Sequence, residues 1–285
     1  MVYASIEHLK QTGRNQMKIK LKNVEETLLL PLWSRAQISR EHSSWFNDTK
    51  AIELVEKIDY DFSKLRENLF QSLFMTARAK QFDDKIKSFI AAHPHASVIN
   101  LGAGLDTMFY RVDNGLIHWY DLDLPNVIAT REQLLPRTDR LKYIPKSILE
   151  LSWCNDVNGI ENGVFIVSCG VLAYFKDSQM KQLFLTIADK FPDGEVVFDA
   201  SSRLGNIFSN WGLRRSGMKK ATVKWALKDA HKLTKWDKRI QVIDQFPYFN
   251  TIPRDFGWDE KIVRQMEFIE RSGLFSMSNI FHVKV

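Results

Sequence analysis

The stretch that decides the fold is Ala96-Ser-Val-Ile-Asn-Leu-Gly-Ala-Gly-Leu-Asp-Thr107. Its first six residues are mostly apolar and resemble a short buried strand, which two closely spaced glycines then end. Glycine allows the backbone to turn tightly and to approach a ligand, because no Cβ stands in the way. The pattern therefore predicts a strand followed by a turn that can contact a ligand.

Working outward from this stretch, short strand-like runs alternate with helical patterns. Helices are predicted at 24–38, 64–74, 81–92, 125–135 and 178–191, and further strands at 116–120, 141–144, 163–167, 195–198, 240–243 and 279–285. Alternation of buried strands with helices is typical of a doubly wound, mostly parallel sheet. We therefore predict an α/β fold, in which ligands bind beyond the carboxyl ends of the strands.

The chain has 285 residues and contains no internal repeat and no Gly- or Pro-rich linker, which predicts a single domain. We divide it into four parts: a helical N-terminal segment, the sheet core, a basic insertion, and the C-terminal strands with a helix. Their bounds are 1–95, 96–200, 201–240 and 241–285.

Composition excludes several classes of protein. No apolar run approaches the ~18 residues that a membrane-spanning helix needs, and the first twenty residues lack the apolar core of a secretory signal. The two cysteines, Cys154 and Cys169, form no Cys-x-x-Cys pair, and the histidines have no metal-ligand spacing. We expect a protein of the reducing cytoplasm, without a metal site or a membrane partner.

Residues 201–240 contain eleven Lys and Arg and two acidic residues, a net charge of 11 − 2 = +9, whereas the whole chain carries +6. Three interpretations remain open for this segment. It could bind nucleic acid through phosphate contacts and its interleaved aromatic residues, although we rank this partner lowest. It could cap an active site. It could also be a surface helix whose apolar stripe faces the core, formed by Val223, Leu227, Ala230 and Leu233.

Two acidic residues follow the second predicted strand. Asp121 and Asp123 lie 19 and 21 residues after Gly102, at the spacing of a carboxylate that accepts hydrogen bonds from an adenosine ribose. A dinucleotide-binding turn has Gly or Ala three residues after its second glycine, but Thr107 stands there. This disfavours an NAD-dependent oxidoreductase, which remains an alternative. The residues suit an adenosine ligand without a diphosphate, and S-adenosylmethionine is the candidate.

Five motifs occur in order between about residues 24 and 200. They are Glu26-Thr-Leu-Leu-Leu-Pro-Leu-Trp-Ser-Arg-Ala36, Arg78-Ala-Lys-Gln-Phe-Asp83, Val98-Ile-Asn-Leu-Gly-Ala-Gly-Leu-Asp-Thr107 with Tyr110-Arg111, Trp119-Tyr-Asp-Leu-Asp-Leu-Pro125, and Cys169-Gly-Val-Leu-Ala-Tyr-Phe175. Together they resemble the leucine carboxyl methyltransferase family, and particularly its branch similar to tetracenomycin-type polyketide carboxyl O-methyltransferases.

This resemblance implies a class I, Rossmann-like methyltransferase that moves a methyl group from S-adenosylmethionine to an oxygen, often that of a carboxylate. It also implies that residues 1–95 form a lid. Carried over by position, Arg78 would bind the methionine carboxylate, and Arg35 in the lid would add a second positive group. The remaining cofactor contacts would come from Gly102, Gly104, Asp123 and its acidic neighbour Asp121.

The chain departs from the family pattern at two places. Ser147-Ile148 stands where some members have an Asp-Leu pair that would contact adenine, and Cys169 stands where the family often has Glu. Each change removes a carboxylate near the expected cofactor, so a scaffold protein that only retains the fold stays open.

The sequence assigns no catalytic residue and leaves the oligomeric state open. Because an ionised carboxylate needs no general base and no His/Asp pair is evident, it favours a carboxylic acid as acceptor. A small polyketide-like acid, another small carboxylate and a protein C-terminus all remain possible acceptors.

Overall fold

The computed structural model describes residues 26–65, 69–215, 221–247, 252–253, 256–271 and 277–285. Residues 1–25, which include the start of one predicted helix, lie outside the described residues, as do residues 66–68 of a second predicted helix and five residues of the basic segment. Within the described ranges the helices are α1 Glu26–Glu41, α2 Thr49–Lys57, α3 Leu69–Ala92, α4 Met108–Val112, α5 Pro125–Leu134, α6 Asp177–Lys190, α7 Arg203–Arg215, α8 His231–Thr234 and α9 Glu260–Arg271.

A seven-stranded sheet runs through the described part of the chain. Its strands are β1 Ser97–Leu101, β2 His118–Asp123, β3 Leu141–Pro145, β4 Val164–Ser168, β5 Glu195–Ser201, β6 Gln241–Pro247 and β7 Ser278–Lys284. The spatial order is β3-β2-β1-β4-β5-β7-β6, and β7 alone runs antiparallel to both of its neighbours. The prediction of a doubly wound, mostly parallel sheet is therefore confirmed, with strand ends shifted by a few residues.

The strand order fixes where a ligand can bind. The chain continues from β1 to β2 and β3 on one side, and then returns to place β4 and β5 on the other side of β1. The connections on the two sides therefore diverge beyond the carboxyl ends of β1 and β4, and this divergence opens a crevice.

Helices cover both faces of the sheet, so the central strands are buried on both sides. Every residue of β1 and of β4 is buried. This explains why their sequences are mostly apolar and do not alternate between apolar and polar residues. Trp153, Phe184 and Phe198 belong to the core on one face, whereas Phe82 and Trp119 belong to the core on the other.

The basic segment does not form the long surface helix that the spacing of its apolar residues predicts. Residues 221–230 form no helix, and α8 spans only four residues, so the surface helix expected through Val223 and Leu233 is wrong. The reason is tertiary packing. The backbone N–H groups of Lys224 and Trp225 both donate to the Ala173 carbonyl, at 2.7 and 2.9 Å. Three apolar side chains that the helical spacing predicts to be buried are nevertheless in the core, namely Leu227, Ala230 and Leu233.

None of the helices in the described ranges has both the length and the apolar character required to cross a bilayer.

Trp225 provides a test of this packing. It is 1% exposed and its ring lies against Phe184 and Phe198, with centroids 6.4 and 5.7 Å away. We expect Trp225→Ala to lower the free energy of unfolding by about 3–5 kcal/mol, because it leaves a cavity in the core. Denaturant unfolding measures this change.

The matched control is Trp211→Ala in the same basic segment, since Trp211 on α7 is 59% exposed. We expect this variant to lose less than about 1 kcal/mol. Equal losses in the two variants would contradict the packing of residues 221–230 on the core.

Candidate active site

A cavity of about 470 Å³ opens at the carboxyl ends of β1, β2 and β4. Its walls come from the turn after β1, the end of β2, the loops after β3 and β4, and the helices α1, α3 and α7. A second, shallower depression of about 800 Å³ lies between α9 and the start of α3 and contains Phe70, Arg264 and Phe268. The first cavity occupies the crevice that the strand order predicts, and its size is within the roughly 300–1,000 Å³ of small-molecule sites.

Eight of the nine predicted site residues line this cavity. Folding brings them together from six separate stretches of the chain: Arg35, Arg78, Gly102, Gly104, Asp123, Ser147, Ile148 and Cys169. Asp121 is the exception and does not reach it.

The glycine turn forms the floor of the cavity. Gly102 has φ +75°, and a Cβ at this position would lie 2.6 Å from Cγ2 of Val171 in the loop after β4. A side chain would therefore both strain the backbone and collide with that loop. The N–H groups of Gly102 and Ala103 donate to the Leu122 carbonyl at 2.7 and 3.1 Å, which fixes the turn against β2.

Asp123 is the last residue of β2 and lies beside this turn. Its carboxylate accepts hydrogen bonds from the backbone N–H groups of Gly104 and Leu124, at 2.8 and 2.7 Å. Burial raises the pKa of the Asp123 carboxyl above its usual value, although both hydrogen bonds act in the opposite direction. The carboxylate lines the cavity beside the glycine backbone.

Asp121 lies on the same side of β2 as Asp123, but two residues before it. It is therefore further from the strand end, and it is opposite Asn100 of β1. It is fully buried, forms a 2.5 Å ion pair with Arg131 and accepts a hydrogen bond from the Trp119 indole at 2.8 Å. Arg131 in turn donates to the Gly104 carbonyl at 3.1 Å. Asp121 therefore supports the turn from below and lines no part of the cavity, because the turn and Arg131 cover it.

Arg35 reaches the cavity wall, but its guanidinium is already bound. It forms ion pairs with Asp48 at 3.0 Å and with Asp106 at 3.2 Å, and it donates to the Leu105 carbonyl at 3.2 Å. These contacts join α1 to the glycine turn and to the start of α2.

A second guanidinium completes this buried cluster, and the sequence analysis assigned no role to it. Arg111 binds Asp83 through Nε and Nη2 at 2.7 and 2.8 Å, and binds Asp48 through Nη1 at 2.8 Å. Burial opposes ionisation of Asp48, but Arg111 and Arg35 outweigh it and hold its pKa below the usual value. Arg111 and Asp83 both belong to quoted motifs, whereas no sequence signal marked Asp48.

Arg78 projects from α3 towards the loop after β4. Its Nη1 forms an ion pair with Asp199 at 3.1 Å, and its Nη2 lies 3.6 Å from the Met75 sulfur. Asp199, near the end of β5, also accepts the N–H of Gly170 at 2.6 Å. Sequence reasoning missed Asp199, and its place near the end of a predicted strand was the signal that could have found it.

The two departures from the family pattern face the cavity as well. Ser147 and Ile148 follow β3 and line the cavity together with Leu124 and Val127. Cys169 lies after β4, and burial raises the pKa of its thiol to about 12. The thiol is therefore protonated at neutral pH and is a poor nucleophile.

Comparison with known proteins agrees with this geometry. Residues 31–188 match the family described as leucine carboxyl methyltransferase, and this match covers more than half of the chain. The chain belongs to the leucine carboxyl methyltransferase family. The family predicted from the sequence motifs is thereby confirmed.

Two curated relatives are methyltransferases. The chain is 33% identical over 183 residues to the tetracenomycin polyketide synthesis O-methyltransferase TcmP of Streptomyces glaucescens, covering 64% of this chain and 67% of TcmP. It is 25% identical over 268 residues to the S-adenosyl-L-methionine-dependent methyltransferase dpfgK of Gibberella zeae, covering 85% of this chain and 88% of that protein.

Solved structures show the same fold at low identity. A DUF574 family protein of Streptomyces avermitilis has a TM-score of 0.56 and 10% identity, covering 88% of this chain and 96% of its own. A putative methyltransferase of Thermobifida fusca has a TM-score of 0.54 and 11% identity, covering 78% of this chain and 85% of its own. The predicted methyltransferase-like architecture is thus confirmed.

Family membership and relatives confirm the prediction of an S-adenosylmethionine-dependent methyltransferase. The cavity of this leucine carboxyl methyltransferase family member fits that methyl donor. It offers bare glycine backbone, a strand-end carboxylate suited to ribose hydroxyls and a guanidinium suited to a carboxylate, at Gly102, Asp123 and Arg78.

The raised pKa of Cys169 leads to a labelling prediction. Alkylating reagents react with the thiolate, and a thiol with a pKa of about 12 rather than 9.0 holds roughly a thousandfold less thiolate at pH 8. We expect iodoacetamide to label Cys169 in the folded protein far more slowly than in the urea-unfolded protein.

Peptide mass spectrometry separates this thiol from Cys154, and Cys169→Ser gives the background rate. Rapid labelling of Cys169 in the folded state at pH 8 would contradict a neutral thiol in the cavity.

Proposed function

We propose that this methyltransferase methylates a carboxylate oxygen of a small, largely apolar acid of the polyketide type. One observation carries this proposal: none of the described residues that line the cavity is a histidine, and most of the ionisable side chains there are poor general bases at neutral pH. The ionisable side chains are Arg35, Arg78, Asp106, Asp123, Lys146, Cys169 and Tyr174.

Three of these groups have a specific reason not to remove a proton, and Asp123 has both of its carboxylate oxygens hydrogen-bonded to backbone N–H groups. Burial raises the pKa of the Cys169 thiol to about 12, and it also raises the pKa of the Tyr174 hydroxyl above its usual value. Burial opposes ionisation of Asp106 too, but Arg35 and Arg111 outweigh it and hold its pKa below the usual value. An acceptor that is already ionised at pH 7 suits such a site, and a carboxylic acid meets this condition.

We assign the cofactor contacts by place in the cavity. Arg78 binds the carboxylate of the methionine part, Asp123 accepts hydrogen bonds from the ribose hydroxyls, and Gly102 and Gly104 let the backbone approach the ligand. Ser147 and Ile148 lie on the adenine side. S-adenosylmethionine, when bound, supplies a methyl group that is activated for transfer to a nucleophilic oxygen.

The remaining contribution of the chain is to position the acceptor and to exclude water from it. A bound acceptor must lie in line with the methyl group at about 3 Å, and its carboxylate must lose part of its hydration. Apolar side chains from three helices and the loop after β4 form the walls that do this: Leu30, Pro31, Met75, Ala79, Phe175 and Leu213. Such walls favour an aromatic or polyketide-like acid, and TcmP is named for polyketide synthesis.

We also propose that the four segments expected from the sequence act as one domain in which α1 serves as the lid and α7 as part of the cap. Leu28, Leu30 and Arg35 from α1 and Leu213 from α7 line the cavity, which supports this division. Both cysteines are free thiols, which suits a reaction in the reducing cytoplasm.

The first test of this function is cofactor affinity. We expect S-adenosylhomocysteine to bind the wild-type chain in isothermal titration, and Asp123→Asn to weaken it at least about tenfold, because charge-assisted hydrogen bonds to the ribose are lost. Asp113→Asn is the control, since Asp113 pairs with Arg140 and does not line the cavity. No detectable binding at millimolar ligand would overturn the proposed function.

A second test concerns the acceptor. With a saturating aromatic carboxylic acid, we expect a turnover number that stays flat between about pH 6 and about pH 9, because the acceptor is ionised throughout that range. A phenolic acceptor, with a pKa of about 10, would instead give a rate that rises with pH. A steep rise through neutral pH with the carboxylic acid would reveal a general base and contradict the proposal.

A further inference from the structure

Near the proposed methionine end of the site, the family often has a Glu that this chain lacks. Cys169 stands at that position, and burial keeps its thiol neutral by raising its pKa to about 12. A carboxylate is nevertheless present nearby, on the neighbouring strand.

That carboxylate belongs to Asp199. In the parallel pairing of β4 with β5, Ser168 is opposite Phe198, so Asp199 lies one residue further along β5 just as Cys169 lies one residue further along β4. Asp199 is only 4% exposed and does not line the cavity. It therefore acts through other groups.

Two of its neighbours do line the cavity. Oδ2 of Asp199 accepts from Nη1 of Arg78 at 3.1 Å, and Oδ1 accepts from the N–H of Gly170 at 2.6 Å. A Cβ on Gly170 would lie 3.0 Å from that same Nη1, so the guanidinium rests directly against the backbone of the loop. One buried carboxylate thus fixes both the arginine and the loop that it touches.

We propose that Asp199 is a positioning residue for the cofactor. It holds Arg78 and Gly170 in place at the methionine end of the site. This inference depends on the proposed cofactor contacts of Arg78.

The physical reason is preorganisation. Arginine has a long side chain with many rotamers, and a free guanidinium would lose that freedom each time a ligand bound. The ion pair with Asp199 restricts the guanidinium before the ligand arrives, while Nη2 is left on the side of Met75. Removing the negative charge of Asp199 should therefore weaken ligands that carry a carboxylate and leave other ligands unaffected.

Two ligands distinguish this role from a structural one. S-adenosylhomocysteine carries the amino-acid part, whereas 5′-methylthioadenosine has the same nucleoside and a thioether but no amino-acid part. We expect Asp199→Asn to weaken S-adenosylhomocysteine up to roughly tenfold, the cost of ordering one long side chain on binding, and to leave the affinity for 5′-methylthioadenosine unchanged. Isothermal titration measures both.

A double-mutant cycle tests whether Asp199 works through Arg78. In the Arg78→Ala background, Asp199→Asn should have no further effect on S-adenosylhomocysteine, because the group that it positions is gone. Glu195→Gln is the matched control, since Glu195 is a half-buried acid on the same strand that pairs with His282 at 2.7 Å, away from the cavity. It should change neither affinity.

If Asp199→Asn does not fold, Asp199→Glu keeps the negative charge but displaces it by one methylene, and it should weaken S-adenosylhomocysteine selectively. Equal weakening of both ligands, or additive effects of the Asp199 and Arg78 variants, would overturn the positioning role while the methyltransferase assignment stands. Binding of neither ligand by the wild-type chain would overturn the proposed function itself.

Discussion

The buried ion cluster around Asp48 is the interaction on which the rest of the site depends. Two guanidiniums, Arg35 and Arg111, bind this carboxylate at 3.0 and 2.8 Å and connect α1, α2 and α4. Arg111 extends the cluster to Asp83 on α3. Removing one partner from such a cluster leaves an uncompensated charge in the interior, which costs far more than the loss of a surface ion pair. The N-terminal helices and the glycine turn therefore hold one mutual arrangement.

The cavity combines this cluster with a second support below the turn. Asp121 and Arg131 form a buried pair, and Arg131 donates to the carbonyls of Gly104 and Asp106 at 3.1 and 2.6 Å. The turn is thus held from the helices on one side and from β2 on the other. A ligand that needs close approach to backbone meets a surface that is already ordered, which is the condition for preorganised binding.

The ion pairs of the basic segment, residues 201–240, lie at the protein surface, whereas those around the cavity are buried. Its Lys232 pairs with Asp177 at 2.5 Å and its Arg239 with Asp189 at 2.7 Å, both at the surface. Such exposed pairs contribute little to stability and are screened by salt. Two aromatic residues of this segment pack on the rest of the molecule: Trp225 lies in the core against Phe184 and Phe198, and Trp236 also contacts Phe184. Their anchoring role is apolar.

The sequence by itself determined the sheet, the glycine turn and eight residues of the cavity lining. Strand identity follows from local apolar runs, and the Gly102 turn and Asp123 lie next to strand ends, so both can be read from spacing along the chain. Tertiary structure decided the remainder. Whether Asp121 faces a ligand depends on its depth in the sheet, and the contact of Asp199 with Arg78 joins residues 121 positions apart. Burial and long-range pairing are properties of the packed molecule, so no local pattern contains them.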